Sequence, residues 1–266
     1  MVGAALPAVT PGLLLAAAAA SLAGYRPWAY VARAAALGAA LATAWLVRTG
    51  GPLTLHLSPW IEVGNLRIEV GVSGDGQTVA LLALLALWAV IAPLVGDSPG
   101  RGVAAMDVAA AGAALTIVAS GAWVSLVGCE VLLAGSFLYA ARSAEASGAR
   151  RVLFYTRLGA LALAGTLVFA ESAAAPWSAL LTAAVLVGAW PFHPWLEDLG
   201  EGGAATGIRL VAAVTGVCLL LRFAGPLPEV VAAVFVLSSV ISVSAAMATQ
   251  DLFRAQMLTA AAQGSL

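Results

Sequence analysis

Glu130 lies near the middle of Trp123–Tyr139, WVSLVGCEVLLAGSFLY, a segment long and apolar enough to cross a bilayer and free of any other charge. A carboxylate at that depth is costly unless it is protonated, paired or turned to a wet cavity, which makes it a functional-site signal. An apolar surround disfavours the charged form of such a group and a nearby guanidinium favours it. A carboxylate balanced between the two can load and release protons. The competing reading is a glutamate that is permanently protonated or permanently paired and ties two helices together.

Other ionisable residues also fall inside apolar stretches. Arg157 stands about two turns into the sixth of these and Arg209 near the start of the eighth. Either can pair with a carboxylate inside a helix bundle or extend its charged end to the membrane surface. Asp107, in the fourth stretch, is expected to reach the interface in the same way. His193 sits in Trp190-Pro191-Phe192-His193-Pro194-Trp195, where two prolines three apart remove backbone donors and break a helix. Imidazole changes charge near physiological pH, so His193 suits a proton shuttle; flanked by tryptophans, it is equally an interfacial anchor. Glu197, Asp198 and Glu201 follow, either as a proton-collecting mouth or as the acidic start of the next helix.

Positioning these groups requires a membrane scaffold. The 266 residues are 62% hydrophobic and 9% charged. Apolar runs able to span about 30 Å of hydrocarbon recur near residues 4–24, 29–47, 77–95, 103–119, 121–140, 152–170, 176–194, 207–223 and 227–247, and a partial one follows Asp251. None shows the alternation of barrel strands, so the expected fold class is all-α and polytopic, with about 9–10 transmembrane helices, the seventh broken. The whole chain, 1–266, reads as a single transmembrane domain. Residues 48–76 form its one long connection, whose alternating pattern around Gly64-Asn65 predicts a β-hairpin, and 250–266 begin a tenth helix.

All twelve basic residues are Arg. With the N-terminus outside, Arg26, Arg101, Arg142, Arg150, Arg151 and Arg254 fall on the inner side, against Arg48, Arg67 and Arg222 on the outer. This predicts a multi-pass protein of the cell inner (plasma) membrane with an extracytoplasmic N-terminus and the hairpin outside. Cys129 and Cys218 lie within spans as small apolar residues. No phosphate-binding glycine loop, paired-cysteine cluster or dinucleotide fingerprint is present, so no cofactor is expected and no nucleic acid is implicated. Redox chemistry coupled to this chain belongs to a partner, and the lipid bilayer is its surround.

Three segments in order resemble the antiporter-like, proton-translocating subunits of respiratory complex I and related complexes. GCEVLLAGSFLYA followed by ARRVLFYTRLGA looks like that family's glutamate-bearing helix and the helix after it. PFHPWLEDLGEG is similar to its broken-helix signature through Pro191, His193, Pro194 and Trp195. Asp251-Leu252-Phe253-Arg254, with Gln263, looks like the entry to its tenth helix. The wider superfamily includes multisubunit sodium/proton (Mrp-type) antiporters, membrane-bound hydrogenase subunits and the membrane partner in energy-coupled inorganic-carbon uptake.

The resemblance implies a membrane subunit of a multisubunit complex, akin to an NADH:quinone oxidoreductase, that moves protons or Na+ past Glu130, Arg157, His193 and Arg209. Its implied partners are other membrane subunits and a redox or uptake subunit. It also exposes departures. The family's lysine in the seventh helix is replaced by Leu186 in that neighbourhood, and residues 210–221 hold no ionisable group except Cys218. The sequence reaches Leu266 inside the expected tenth helix, so the second half of the family's repeat is expected to be missing. Two other readings therefore stand beside translocation: the membrane partner of an inorganic-carbon or cation uptake system, and a structural subunit that has lost conduction.

Overall fold

In a computed structural model residues 2–63, 66–94, 100–143, 146–168, 175–189, 191–200 and 202–223 are described, and these are mainly helical with one β-hairpin among them. The expected spans at 227–247 and after Asp251, and the Asp251–Arg254 motif with Gln263, lie outside these residues, as do Trp190 and Glu201. The chain divides into two compact units, Met1–Arg142 with Glu201–Val211, and Ser143–Gly200 with Ala212–Leu266.

The first unit holds α1 (Val2–Leu22), α2 (Arg26–Gly50), β1 (Leu53–Val63), β2 (Leu66–Gly74), α3 (Gly76–Ile91), α4 (Gly100–Val118) and α5 (Ala122–Ser143), the last up to Arg142. Each boundary has a local cause. Pro27 opens α2 and Gly51, at φ +86°, closes it. The Asp75 carboxylate caps α3 by accepting the Thr78 N–H at 2.8 Å.

The alternating segment is an antiparallel hairpin, pairing Leu53 with Gly74 through Val63 with Leu66 and shifting register between Leu57 and Ile61. It is tied to the α4–α5 turn by a hydrogen bond from Ser120 N–H to Gly71 O at 3.0 Å and a bridge between Val72 and Ala119. Gly71 permits this approach, because a Cβ there would strike Ser120 Oγ.

Core position in this unit belongs to α4. Its sequence is mostly Ala and Gly, and 78% of its membrane-length window is buried inside the protein, against 22% for α2. Without a hydrophobic force between helices in lipid, association depends on close packing, which small side chains allow. Among the described residues six helices, α1 to α5 and α9 (Gly203–Phe223), are long and apolar enough to cross a membrane.

The second unit contains α6 (Ala146–Val168), α7 (Ala175–Val187) and the single turn α8 (Pro194–Glu197), with the later part of α9. At 13 residues, α7 rises only about 20 Å, short of the hydrocarbon thickness. It stops at Gly188, φ +72°, where Ala189 N–H reaches Ala184 O at 2.9 Å and Gly188 N–H reaches Val185 O at 3.2 Å. These two bonds form a Schellman stop. The break expected from the two prolines is thus made by a glycine three residues before Pro191, and the prolines follow a helix already ended.

Candidate functional site

Glu130 lies about 12 Å along α5 from its Ala122 end. Its depth is set by contact of α5 with α4, which is backbone on backbone. A Cβ on Gly128 would stand 2.6 Å from Thr116 N and 2.7 Å from Gly112 O, and one on Gly135 would stand 2.5 Å from Ala109 N. One on Gly112 would strike Leu132 N. At 100° per residue, Gly128, Leu132 and Gly135 share the seam face of α5 and Glu130 falls on the opposite side. There it is half-buried, on the same side as exposed Val127. Thr116 reinforces the seam, its hydroxyl donating to Gly112 O at 3.0 Å and Ser125 O at 3.3 Å.

A second charged group in this unit is more deeply held. Arg33 of α2 and Asp107 of α4 are 1% and 0% exposed. Arg33 Nε donates to Asp107 Oδ1 at 2.8 Å, and Arg33 Nη2 to Asp107 Oδ2 at 2.6 Å. The same Nη2 donates to Ser21 Oγ at 3.0 Å, and that hydroxyl donates to Asp107 Oδ2 at 3.3 Å, which brings in the end of α1. The Arg33 guanidinium also lies 5.1 Å from the Tyr30 ring centroid.

This overturns the expectation for Asp107: instead of extending to the interface it is enclosed at the centre of α1, α2 and α4. Sequence reasoning passed over Arg33 altogether. The available signal was depth, since Arg33 and Asp107 each stand two turns into helices that start from the same side, opposite the hairpin.

The broken-helix residues of the second unit have structural partners. Trp195 is fully buried, and its indole N–H donates to Val185 O at 2.7 Å, adding to the stop of α7. Behind it, a Cβ on Gly188 would strike Leu196. His193 is half-buried, with Nε2 4.0 Å from Glu197 Oε1 one helical turn on. Asp198 accepts both Arg151 Nε at 2.8 Å and Arg151 Nη2 at 2.6 Å, joining the break to α6. Glu197 and Asp198 thus belong to the break and not to the first turn of α9, which starts at Gly203.

Of the four proposed pathway residues, Glu130 and Arg209 fall in the first unit, Arg157 and His193 in the second. Arg209 is 8% exposed on α9, two residues after Gly207, whose missing side chain admits Met106 of α4. Arg157 is exposed on α6. Among the described residues no group of three or more His, Cys, Asp or Glu could hold a metal ion.

Neither a family model nor a curated protein matches the sequence. Solved structures do match its fold. A chain of respiratory complex I from Thermus thermophilus, solved with bound aureothin, aligns at TM-score 0.73 and 22% identity over 98% of this chain and 62% of that one. A chain of the Mrp complex from a Dietzia species aligns at TM-score 0.78 and 15% identity, over 100% and 58%. A chain of the membrane-bound sulfane sulfur reductase, an archaeal respiratory membrane complex, aligns at TM-score 0.74 and 16% identity, over 97% and 50%. The chain therefore has the polytopic helical fold of these membrane-complex chains and spans half to two thirds of the length of the three.

Proposed function

We propose that the chain is an ion-translocating membrane subunit of a multisubunit assembly, with Glu130 as the group that takes up and gives up a proton while redox chemistry in partner subunits supplies the energy. The observation that carries this reading is Glu130 itself: a half-buried carboxylate at membrane depth, on the face of α5 turned away from a seam too tight to slide. A carrier must keep its depth while its charge changes, and the glycine contacts with α4 supply that rigidity. Arg209 supplies a fixed positive charge in the same unit, since a guanidinium does not deprotonate in such a setting. In the second unit, His193 beside Glu197 at the ended helix offers a titratable pair for delivering protons.

In this reading the N-terminus and hairpin face outward, a choice supported by the Arg142, Arg150 and Arg151 group at the other side. The fold supports membrane partners of the same complex, since the matching chains come from multisubunit assemblies. Glu130→Gln in the intact complex, reconstituted in vesicles, tests the role through protons moved per electron pair. A reduced ratio with normal assembly is expected; an unchanged ratio ends the carrier role. The structural alternative is favoured by one observation, the Arg33–Asp107 pair, whose geometry is that of a permanent tie. It predicts that a complex lacking only this chain assembles poorly and still pumps normally.

A further inference from the structure

Among the described residues the exposed face of α2 lies on the side opposite the Arg33–Asp107 tie. One stripe of α2 is buried through Ala29, Arg33, Ala36, Ala40 and Thr43. On the other side Trp28, Val31, Leu41 and Trp45 are 67%, 56%, 54% and 67% exposed. The two indoles stand about 25 Å apart along the axis at 1.5 Å per residue, and Arg26 and Arg48, both exposed, about 33 Å apart. A hydrocarbon layer is about 30 Å thick, with tryptophan favoured at its two edges and basic side chains reaching past them to phosphate.

From this match we infer that the outward face of α2 is a lipid-facing edge of the subunit, covered by phospholipid acyl chains between Trp28 and Trp45, with headgroup phosphates of the two leaflets at Arg26 and Arg48. The charges decide between lipid and a partner helix. Phospholipid presents an anion to Arg26 and another to Arg48 at the required separation, whereas a transmembrane partner would need an acidic group at each end. Between the indoles Ala34, Ala35, Gly38 and Ala42 are small and exposed. At Gly38 nothing lies within 4 Å of where a Cβ would be, and acyl chains fill such a recess by bending while a straight helix is held off by both rings. This inference is independent of the proposed translocation.

The test is nitroxide labelling at Val31→Cys, Gly38→Cys and Leu41→Cys in the whole assembly in phospholipid nanodiscs; the native Cys129 and Cys218 are buried. Collision with oxygen is expected to be strong and with a water-soluble nickel chelate weak at all three sites. The oxygen-to-nickel ratio should peak at residue 38, closest to midway between the indoles, and fall at 31 and 41. Weak collision with both reagents would mean that a protein partner covers the face and would overturn the inference. So would a ratio that rises steadily from one end to the other, or a label that blocks assembly, because a lipid-facing nitroxide displaces nothing but acyl chains.

Discussion

Removing the carboxylate from the Arg33–Asp107 pair tests whether the buried tie has been understood. In Asp107→Asn the side chain keeps its size, but one acceptor oxygen becomes an NH2 donor, and Arg33, 1% exposed, is left charged without a counter-ion. A guanidinium cannot shed its proton, so the charge must stay buried or drag α2 outward. Breaking one partner from a buried pair costs about 3–5 kcal/mol. The upper half of that range is expected, since the two Arg33 hydrogen bonds, at 2.6 and 2.8 Å, go to different oxygens and an amide keeps an acceptor for one of them alone. Arg33→Leu should cost less, because a carboxyl group can be neutralised by a proton whereas a guanidinium cannot shed one. Replacing both partners by Leu removes the charges together, and its cost should be under about 1 kcal/mol, or even a gain, as for other buried pairs exchanged for apolar residues.

The assay is unfolding of the purified assembly by detergent titration, with retention of this subunit followed on native gels. The four proteins needed for a double-mutant cycle are the wild type, the two singles and the double. Rank order carries the result: Asp107→Asn least stable, Arg33→Leu intermediate, the double nearest to wild type. A double-Leu protein as unstable as Asp107→Asn would refute the reasoning, because it would show that packing at the α1, α2 and α4 junction matters and the unpaired charge does not.

Two further perturbations probe the elements around the site. Gly128→Ala places a carbon 2.6 Å from Thr116 N and 2.7 Å from Gly112 O, so α5 must retreat from α4. The expected loss is about 1–3 kcal/mol by the same titration, with a lower pumping ratio in the protein that still assembles. Trp195→Phe keeps a ring in the buried slot but removes the donor to Val185 O, which retains Gly188 N–H. A loss of about 1 kcal/mol is expected, whereas Trp195→Ala, which empties the slot, should cost about 3–5 kcal/mol.

What could be read from the sequence follows the range of the forces involved. Apolar runs report the membrane directly, because each helix must be apolar over its own length, and the helices α1 to α7 and α9 lie on the runs recognised for them. The alternating pattern of 53–74 reports a local pairing, and the strands join close in sequence. The stop of α7 was also local. Gly188 followed by Pro191 is the ordinary order of a helix terminator, glycine at the cap and proline beyond it. The prolines are the more conspicuous breakers in the sequence, but the residue whose left-handed backbone ends the helix is Gly188.

The site itself was legible only where one residue was anomalous by itself. Glu130 is alone in its span, so no partner had to be known before it drew notice. Arg33 and Asp107 each look ordinary in a span close to its end, where long side chains reach water, and only their pairing across 74 positions makes them remarkable in energy. That pairing depends on which helices touch, and contact here is set by runs of Ala and Gly that resemble one another along α1, α2 and α4. Charge gives those interchangeable surfaces a single register: α1 brings a hydroxyl, α2 a guanidinium and α4 a carboxylate to one depth, and a shift of one turn in any of the three would strand a charge in the dry interior. The seam of α4 with α5 then carries that register to Glu130. A chain with so few charged groups thus has Glu130 placed with the help of a charge pair buried elsewhere in the same unit.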